Sequence, residues 1–221
     1  SKQIVSKTLL FAYGIFAVDI DGDGDIDIAS TSILDGKISW HENTEDKGTF
    51  GTEQIVSTDT STMSRTALAA DLDGDGDIDL AVSLFSSFSD SITGTIAWYE
   101  NTDGKGTFGS QQNVSTNVTQ AESLFAADLD GDGDIDLAIA SARKNKIAWY
   151  KNTDGNGTFG GQQIVSMNTT GANSVFAADL DGDGDIDLAS SSLGDNSISW
   201  YENIDGKGTF YSMSQILTYS R

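Results

Sequence analysis

The stretch DLDGDGDIDLA occupies residues 71–81 and recurs at 128–138 and 179–189, with the close variant DIDGDGDIDIA at 19–29. Each copy places five aspartates within nine residues and contains no lysine or arginine. Carboxylates about 5 Å apart repel one another by roughly 3 kcal/mol per pair at an effective dielectric constant near 20. A folded chain therefore needs either a cation or a splayed loop at each of these four stretches.

The charge balance of the whole chain agrees with a cation as partner. The 221 residues carry 34 acidic and 12 basic side chains, a net charge of −22, and 20 of the acidic residues lie in the four stretches. Such a surface argues against nucleic acid and anionic membranes as partners. No apolar run approaches the roughly 18 residues of a membrane helix, so we expect no membrane insertion. The absence of cysteine excludes disulfides and thiolate metal sites.

The acidic stretches mark one unit that is repeated four times. Their first aspartates are spaced by 52, 57 and 51 residues. A tryptophan segment follows each (KISWHEN at 37–43, TIAWYEN at 95–101, KIAWYKN at 146–152, SISWYEN at 197–203), and then a glycine-rich turn such as DGKGTFG at 103–109. A fixed period of this size indicates a repeat architecture. We predict one repeat domain over 1–221, with approximate units 3–57, 58–115, 116–166 and 167–221.

The pieces of each unit have the features of β-strands. LFAADL (124–129), IDLAIAS (135–141), KIAWY (146–150) and QQIVS (162–166) are short, rich in β-branched or aromatic residues, and bounded by Gly, Asp and Asn. Both faces of the third strand are apolar, as expected for a sheet that packs between two neighbours. The sequence therefore predicts an all-β propeller in which each repeat is a four-stranded antiparallel blade. A β-solenoid or a row of small sandwiches is the alternative.

The spacing of the aspartates predicts a calcium loop. Side chains at positions 1, 3 and 5 converge on an ion if the loop curls, the glycine at position 6 permits the turn, position 7 offers its backbone carbonyl, and position 9 completes the shell. An EF-hand would need an acidic residue at position 12, where Ser30, Val82, Ile139 and Ser190 stand. We therefore expect four Ca²⁺ sites, one per repeat, formed by Asp19, Asp21, Asp23, Asp25 and Asp27; Asp71, Asp73, Asp75, Asp77 and Asp79; Asp128, Asp130, Asp132, Asp134 and Asp136; and Asp179, Asp181, Asp183, Asp185 and Asp187.

These motifs resemble those of a known family. FAADLDGDGDIDLA together with WYENTDGKGTFG is similar to the FG-GAP/VCBS repeats of calcium-binding propellers, which occur in integrin α-subunit heads and in many secreted microbial proteins. The resemblance covers nearly the whole chain and implies a propeller with bound calcium. Family propellers commonly have more blades than the four repeats present here. A four-bladed ring, half of a larger ring closed by a second chain, and an excerpt of a longer propeller all stay open.

The connections that differ between repeats are the expected recognition surface. They lie at 30–37, 83–94, 141–146 and 190–197, at the end of each blade opposite to the acidic loop. In the longest of them, Phe85 and Phe88 could bind a ligand, although aromatic residues more often pack under their own loop. We expect a non-catalytic module for protein interaction or adhesion, located outside the cell or on its surface, where calcium is abundant.

Two other functions compete with this hypothesis. A lectin would use the four tryptophans as stacking faces for sugar, although mid-strand tryptophans more often pack in a core. An enzyme, or the non-catalytic part of a secreted enzyme, is the weaker alternative, because the chain has no cysteine and a single histidine, His41.

The ends of the chain carry one strand segment too many. QIVS at 3–6 adds a fifth copy of the fourth-strand segment, and an unpaired strand edge invites another chain. We therefore expect either a homo-oligomer formed through the terminal strands or continuation into further blades. Because the sequence opens at Ser1 without a methionine or a signal-like segment, we also expect a mature or excised piece of a longer protein.

Overall fold

In the part of the chain that the structure describes, regular secondary structure consists of β-strands. The computed structural model describes residues 2–44, 47–86 and 93–216, and within these ranges it contains no helix that could span a membrane. The sixteen strands are β1 (Ala12–Val18), β2 (Asp27–Ser32), β3 (Lys37–His41), β4 (Gln54–Thr58), β5 (Thr62–Ala70), β6 (Asp79–Ser86), β7 (Gly94–Tyr99), β8 (Gln112–Val118), β9 (Ala121–Ala127), β10 (Asp136–Ser141), β11 (Lys146–Tyr150), β12 (Gln163–Ser166), β13 (Ala172–Ala178), β14 (Asp187–Ser192), β15 (Ser197–Asn203) and β16 (Phe210–Ile216).

Every sheet is built from four strands that follow one another in the chain. The strand orders are β1-β2-β3-β4, β5-β6-β7-β8, β9-β10-β11-β12 and β13-β14-β15-β16, and the paired registers are antiparallel. Each sheet corresponds to one predicted repeat, with β4 and β8 ending slightly beyond the predicted boundaries at 57 and 115. The prediction of an all-β fold with four antiparallel blades is confirmed.

The contacts divide the chain into two compact units. Unit 1 comprises Ser1–Asp71 and Asp75–Thr116, and unit 2 comprises Leu72–Gly74 and Asn117–Arg221. Apart from residues at the boundaries, unit 1 contains the first two sheets and unit 2 the last two. That all four repeats form a single domain stays a prediction.

The third strand of the first sheet is covered on both faces, although only the face of Ile38 and Trp40 is apolar. Ile38 and Trp40 lie on one face and Ser39 and His41 on the other, and no more than 3% of any of these residues is exposed. In unit 1, Ile38 and Trp40 pack in a core with Leu80 and other residues of the second sheet. In the equivalent strand β11, Ile147 and Trp149 on one face and Ala148 and Tyr150 on the other are all apolar and buried, as the sequence predicts.

A close contact between a tryptophan and a glycine joins the two sheets of each unit. A Cβ atom on Gly106 would lie 2.1 Å from Trp40 Cζ2, and one on Gly208 would lie 2.3 Å from Trp149 Cζ2. Gly106 follows β7 in the turn that leads to β8, whereas Trp40 lies in β3. The glycine-rich turn of one repeat therefore packs directly on the tryptophan of the repeat before it.

The strand order confirms which loops share an end of the blade. The acidic loop joins the first strand to the second, and the glycine-rich turn joins the third to the fourth. Because neighbouring strands are antiparallel, these two connections lie at the same end of a sheet. The variable connections, between the second and third strands and between successive repeats, lie at the other end.

Two sequence-based expectations need correction. Phe85 is not in a loop: β6 extends to Ser86, Phe85 pairs with Met63 and Gly94, and only 4% of it is exposed. Its ring lies 5.4 Å from the Arg65 guanidinium carbon, so it packs within the blade and offers no ligand anchor. Phe88 lies outside the described residues. Residues 3–6 form no strand, because Gln54–Thr58 already pairs with β3 as the outer strand of this sheet.

Candidate metal centre

The first aspartate of each acidic loop binds the backbone of its own loop. In the first loop, Asp19 Oδ1 accepts a hydrogen bond from Gly22 N at 2.9 Å and Asp19 Oδ2 accepts one from Gly24 N at 2.9 Å. The same pair of bonds recurs from Asp128 and from Asp179. In the second loop, Gly76 N donates to Asp71 Oδ2 at 3.0 Å. These bonds curl the backbone into a tight loop and stabilise it without an ion.

Glycine at position 6 of the loop is required by the backbone conformation. Gly24 has a φ angle of 96°, and the equivalent Gly76, Gly133 and Gly184 have 96°, 95° and 101°. A Cβ atom on any of these four glycines would meet nothing within 4 Å, so space is not the constraint. Residues other than glycine rarely adopt this backbone conformation. The φ angles therefore confirm the turn predicted at this position.

The aspartate at position 9 fastens the acidic loop to the glycine-rich turn. Asp27 is fully buried, and its Oδ2 accepts from Ile20 N at 2.9 Å while its Oδ1 accepts from Asn43 N at 2.8 Å. Asp136 and Asp187 make the equivalent pair of bonds. A buried carboxylate held by two backbone donors keeps the two connections together at one end of the blade.

Carboxylate oxygens converge in the first, third and fourth loops. One oxygen from each of three aspartates lies within 4.8 Å of the other two, in the groups Asp19–Asp21–Asp27, Asp128–Asp130–Asp136 and Asp179–Asp181–Asp183. This separation is about twice a calcium–oxygen distance of roughly 2.4 Å. In the second loop the corresponding positions are Asp71, Asp73 and Asp79, and the division between the two units passes through this loop.

An orphaned carboxylate oxygen shows that these residues fit a cation. Asp130 Oδ1 is buried and has no hydrogen-bond partner, and only 8% of the Asp130 side chain is exposed. A buried carboxylate oxygen without a hydrogen-bond donor destabilises the folded protein. Coordination of a metal ion by this oxygen would supply the missing interaction. Because every donor in the groups is a carboxylate oxygen, the site suits a hard cation and not a soft metal.

Burial raises the pKa of three aspartates in these groups, Asp21, Asp27 and Asp136. Desolvation, reinforced by the charge of Asp27, raises the pKa of Asp21 from 3.8 to about 6. Desolvation raises the pKa of Asp136 from 3.8 to about 7, although the backbone donors of Asn152 and Leu129 act in the opposite direction. These shifts mean that burial destabilises the charged carboxylates, and a neutralising cation would offset this effect.

The aspartate at position 7 points to the glycine-rich turn of its own repeat. Carboxylate oxygens of Asp77, Asp134 and Asp185 lie 2.4 to 2.5 Å from the place that a Cβ would take on the first glycine of that turn, which is Gly104, Gly155 and Gly206 respectively. None of the three carboxylates belongs to a converging group. This placement accords with the sequence-based expectation that position 7 contributes through its backbone.

Sequence reasoning missed an asparagine that ties the loops of adjacent repeats together. In unit 1, Asn101 Nδ2 donates to Ile20 O of the preceding acidic loop at 2.9 Å and to Ile78 O of its own loop at 3.2 Å. In unit 2, Asn203 Nδ2 likewise donates to Leu129 O at 2.9 Å. The sequence contains the signal, since asparagine is the last residue of the tryptophan segment in all four repeats, at 43, 101, 152 and 203.

The residue before that asparagine also reaches the acidic loop. An oxygen of Glu42 lies within 4.8 Å of oxygens of Asp21 and Asp23. In the third repeat the same position is Lys151, whose Nζ forms ion pairs with Asp130 Oδ2 and, at 2.8 Å, with Asp132 Oδ2. Lys151 therefore lowers the pKa of Asp132. Sequence reasoning did not single out either residue.

Three of the four tryptophans are too deeply buried to stack on a sugar. Trp40, Trp98 and Trp149 are each exposed by no more than 2%, and Trp200 is half-buried. Three of the four indole rings are thus committed to the cores of the units.

A family model places the chain among known repeats. The model described as FG-GAP-like repeat matches residues 13–82, 84–139 and 128–190. The chain belongs to the FG-GAP-like repeat family. The matches begin in the first strand of the first repeat and include all four acidic loops. For this FG-GAP-like chain, the comparison with curated protein sequences finds no match.

A solved structure supports the fold assignment of this FG-GAP-like chain. The crystal structure of regucalcin from Agrobacterium tumefaciens, described as a calcium-binding protein, is similar with a TM-score of 0.51 and 10% sequence identity. The similarity covers 90% of this chain and 72% of regucalcin. At this identity it shows a shared fold, and the four sheets are consistent with four blades of a propeller.

Proposed function

We propose that this FG-GAP-like chain is a calcium-stabilised, non-catalytic scaffold for protein interaction or adhesion. The observation that carries the proposal is the convergence of aspartate oxygens in a tightly curled loop, with one buried oxygen of Asp130 left without a donor. The same loop sequence stands in all four repeats.

The aspartates at positions 1, 3, 5 and 9 would hold the ion. The residues are Asp19, Asp21, Asp23 and Asp27; Asp71, Asp73, Asp75 and Asp79; Asp128, Asp130, Asp132 and Asp136; and Asp179, Asp181, Asp183 and Asp187. When bound, the cation supplies positive charge that neutralises these carboxylates. The backbone donors already position Asp19 and Asp27, so the loop needs little rearrangement to receive an ion.

The arrangement favours calcium over magnesium. Calcium accepts about six to eight oxygen ligands in flexible geometry, whereas magnesium keeps its waters and demands a near-octahedral shell. A loop that offers several carboxylates and backbone carbonyls within a few residues suits the larger ion. Calcium is abundant outside cells, which supports an extracellular or cell-surface location as part of the proposal.

The interaction partner would contact the variable connections. They lie at the end of each blade opposite to the acidic loops, and the rigid sheets hold them in place. We infer that the partner is a protein, because the buried tryptophans remove the stacking surface that favoured a carbohydrate. A glycan array probed with calcium present distinguishes the two classes: repeated binding to one glycan class would replace the protein partner with a sugar.

Metal stoichiometry tests the proposed calcium binding. We expect chelator-treated protein to bind four Ca²⁺ per chain in equilibrium dialysis, to bind Mg²⁺ much more weakly, and to melt at a higher temperature with calcium. A site occupied at 100 times its Kd contributes about 2.7 kcal/mol to stability. The double variant Asp19→Asn with Asp21→Asn should bind one ion fewer, whereas the control Asp35→Asn, in the β2–β3 connection, should bind four. A wild-type chain that binds no calcium would refute the proposal.

A further inference from the structure

The four acidic loops are nearly identical in sequence, but their surroundings differ at one position. The sixth residue of the tryptophan segment is a glutamate in the first, second and fourth repeats and a lysine in the third. These residues are Glu42, Glu100, Glu202 and Lys151. This residue lies near the end of the blade that carries the acidic loop: it directly follows the third strand in the first three repeats, and in the fourth it lies within β15, one residue before the end of that strand. The first loop thus has a neighbouring carboxylate, that of Glu42, and the third has a neighbouring ammonium group, that of Lys151.

In the first repeat the extra carboxylate joins the acidic loop. Oxygens of Glu42, Asp21 and Asp23 lie within 4.8 Å of one another, in addition to the group Asp19–Asp21–Asp27. Glu42 therefore adds negative charge, and one more oxygen, to the place where a cation would bind. Both effects favour a divalent ion.

In the third repeat, Lys151 binds carboxylate oxygens that would otherwise coordinate the ion. Lys151 Nζ contacts Asp130 Oδ2 and lies 2.8 Å from Asp132 Oδ2, which engages the aspartates at positions 3 and 5 of the loop. Asp130 Oδ1 keeps no partner, and it converges with oxygens of Asp128 and Asp136. The loop can still receive an ion on that side, but with a positive charge beside it and with Asp132 held by the lysine.

We propose that Lys151 makes the third acidic loop the weakest of the four calcium sites, so that the protein fills this loop last. The inference rests on the proposed calcium binding. It goes further by ranking sites that the aspartate pattern makes equivalent. A single substituted residue thereby gives the chain one site that responds to calcium at higher concentration than the other three.

Reversal of the charge at this position tests the ranking. In equilibrium dialysis over chelator-buffered calcium concentrations, wild-type protein should bind three ions in a tighter class and the fourth about 10- to 100-fold more weakly. Lys151→Glu should move the fourth ion into the tighter class. Glu42→Lys should do the opposite and give two weak ions. The last variant keeps the test decisive if Lys151→Glu does not fold.

A matched variant separates the local effect from a change in net charge. Lys144→Glu makes the same change in the same repeat, at an exposed residue of the β10–β11 connection at the other end of the sheet. Its binding curve should match that of the wild type. In EDTA, Lys151→Glu should melt below the wild type because Asp130 and Asp132 lose their cation, while Lys144→Glu should not.

The outcomes distinguish this inference from the proposed function. Four equal sites in the wild type, or a weak fourth ion that persists in Lys151→Glu, would overturn the ranking and leave calcium binding in place. Absence of calcium binding in the wild type and in all variants would overturn the proposed function, and the ranking with it.

Discussion

At the scale of single residues, Asn101 joins three segments that are distant in the sequence. Its side-chain amide donates to Ile20 O and Ile78 O, its Oδ1 accepts from Gly106 N at 3.0 Å, and its backbone N donates to Asp79 Oδ1 at 2.8 Å. The residue is completely buried. Because these bonds connect the acidic loop of one repeat with the loop and turn of the next, Asn101 holds the neighbouring loops of unit 1 in register.

Asn101→Asp should destabilise the protein through loss of these donors. The carboxylate keeps the acceptor for Gly106 N but leaves Ile20 O and Ile78 O without their donor, so we expect the free energy of unfolding to fall by about 2–4 kcal/mol. Asn113→Asp is the matched control, because Asn113 is exposed and its Oδ1 only accepts from Gln111. Urea unfolding at fixed calcium measures both. Equal losses in the two variants would contradict this role.

Glu42 and Lys151 lie close to acidic loops but are not part of the aspartate motif, so the motif alone does not predict them. The aspartate pattern predicts the same four sites, and in the structure the aspartates at positions 1 and 3 converge in the first, third and fourth loops. Neither residue is part of that pattern, because each reaches the loop from the far side of the hairpin. Their effect depends on distance through space, which a spacing rule within nine residues does not describe.

At the scale of elements, the glycine-rich turn and the tryptophan of the preceding repeat pack as a pair. Trp40 is 1% exposed, and Gly106, with a φ angle of 78°, leaves no room for a side chain above the indole ring. The turn thereby covers the end of the indole, and in the same segment Asn101 reaches the preceding loop. Packing and hydrogen bonding thus fix the same two sheets of unit 1 against each other.

Gly106→Ala should disrupt the packing of the glycine-rich turn on the Trp40 indole. A Cβ atom 2.1 Å from Trp40 Cζ2 forces either the turn or the indole to move, and the positive φ angle adds strain, so we expect a loss of about 2–4 kcal/mol. Gly161→Ala is the control, because a Cβ there meets nothing within 4 Å, and it should change stability by no more than about 0.5 kcal/mol. Thermal unfolding and tryptophan fluorescence are the measurements. An unchanged Gly106→Ala protein would contradict the packing.

At the scale of the whole molecule, the net charge of −22 is concentrated in segments that fold with their carboxylates partly buried. Part of this charge is compensated by groups of the chain itself. Backbone N–H groups compensate Asp19 and Asp27, and Lys151 compensates Asp130 and Asp132. The compensation is incomplete, as the raised pKa values of Asp21 and Asp136 show.

The stability of the metal-free protein should therefore fall as pH rises from about 4 to 7. Asp136 has a pKa of about 7 in the folded state and 3.8 ordinarily, and Asp21 has about 6, so the folded state binds more protons than the unfolded state in this window. The lowered pKa values of Asp103, Asp154 and Asp205 act below this window.

Calorimetry in EDTA at pH 5.0, 6.0 and 7.5 checks the direction. The melting temperature should decrease across this series, and saturating calcium should remove the decrease because the cation replaces the proton at these carboxylates. A melting temperature in EDTA that rises between pH 5.0 and 7.5 would contradict the assignment of the raised pKa values.

The four repeats, the strand segments and the curl of the acidic loops follow from the amino-acid sequence alone, as does the convergence of the aspartates at positions 1 and 3 in the first, third and fourth loops. All of these depend on alternation, glycine conformation and carboxylate spacing within a few residues, which are local properties of the chain. The predicted loop at 83–94 was wrong at its start, because pairing with β5 and β7 extends β6 to Ser86.

Which residues complete each loop depends on contacts between distant segments, and these contacts are known only from the tertiary structure. Asn101 meets Ile20 across 81 residues of sequence, and Lys151 meets Asp130 across 21. Likewise, residues 3–6 have the composition of a strand but form none, because the edge that would pair with them is already taken by β4. Such contacts depend on how sheets stack and which edges are free, and this is a property of the folded chain that no local pattern encodes.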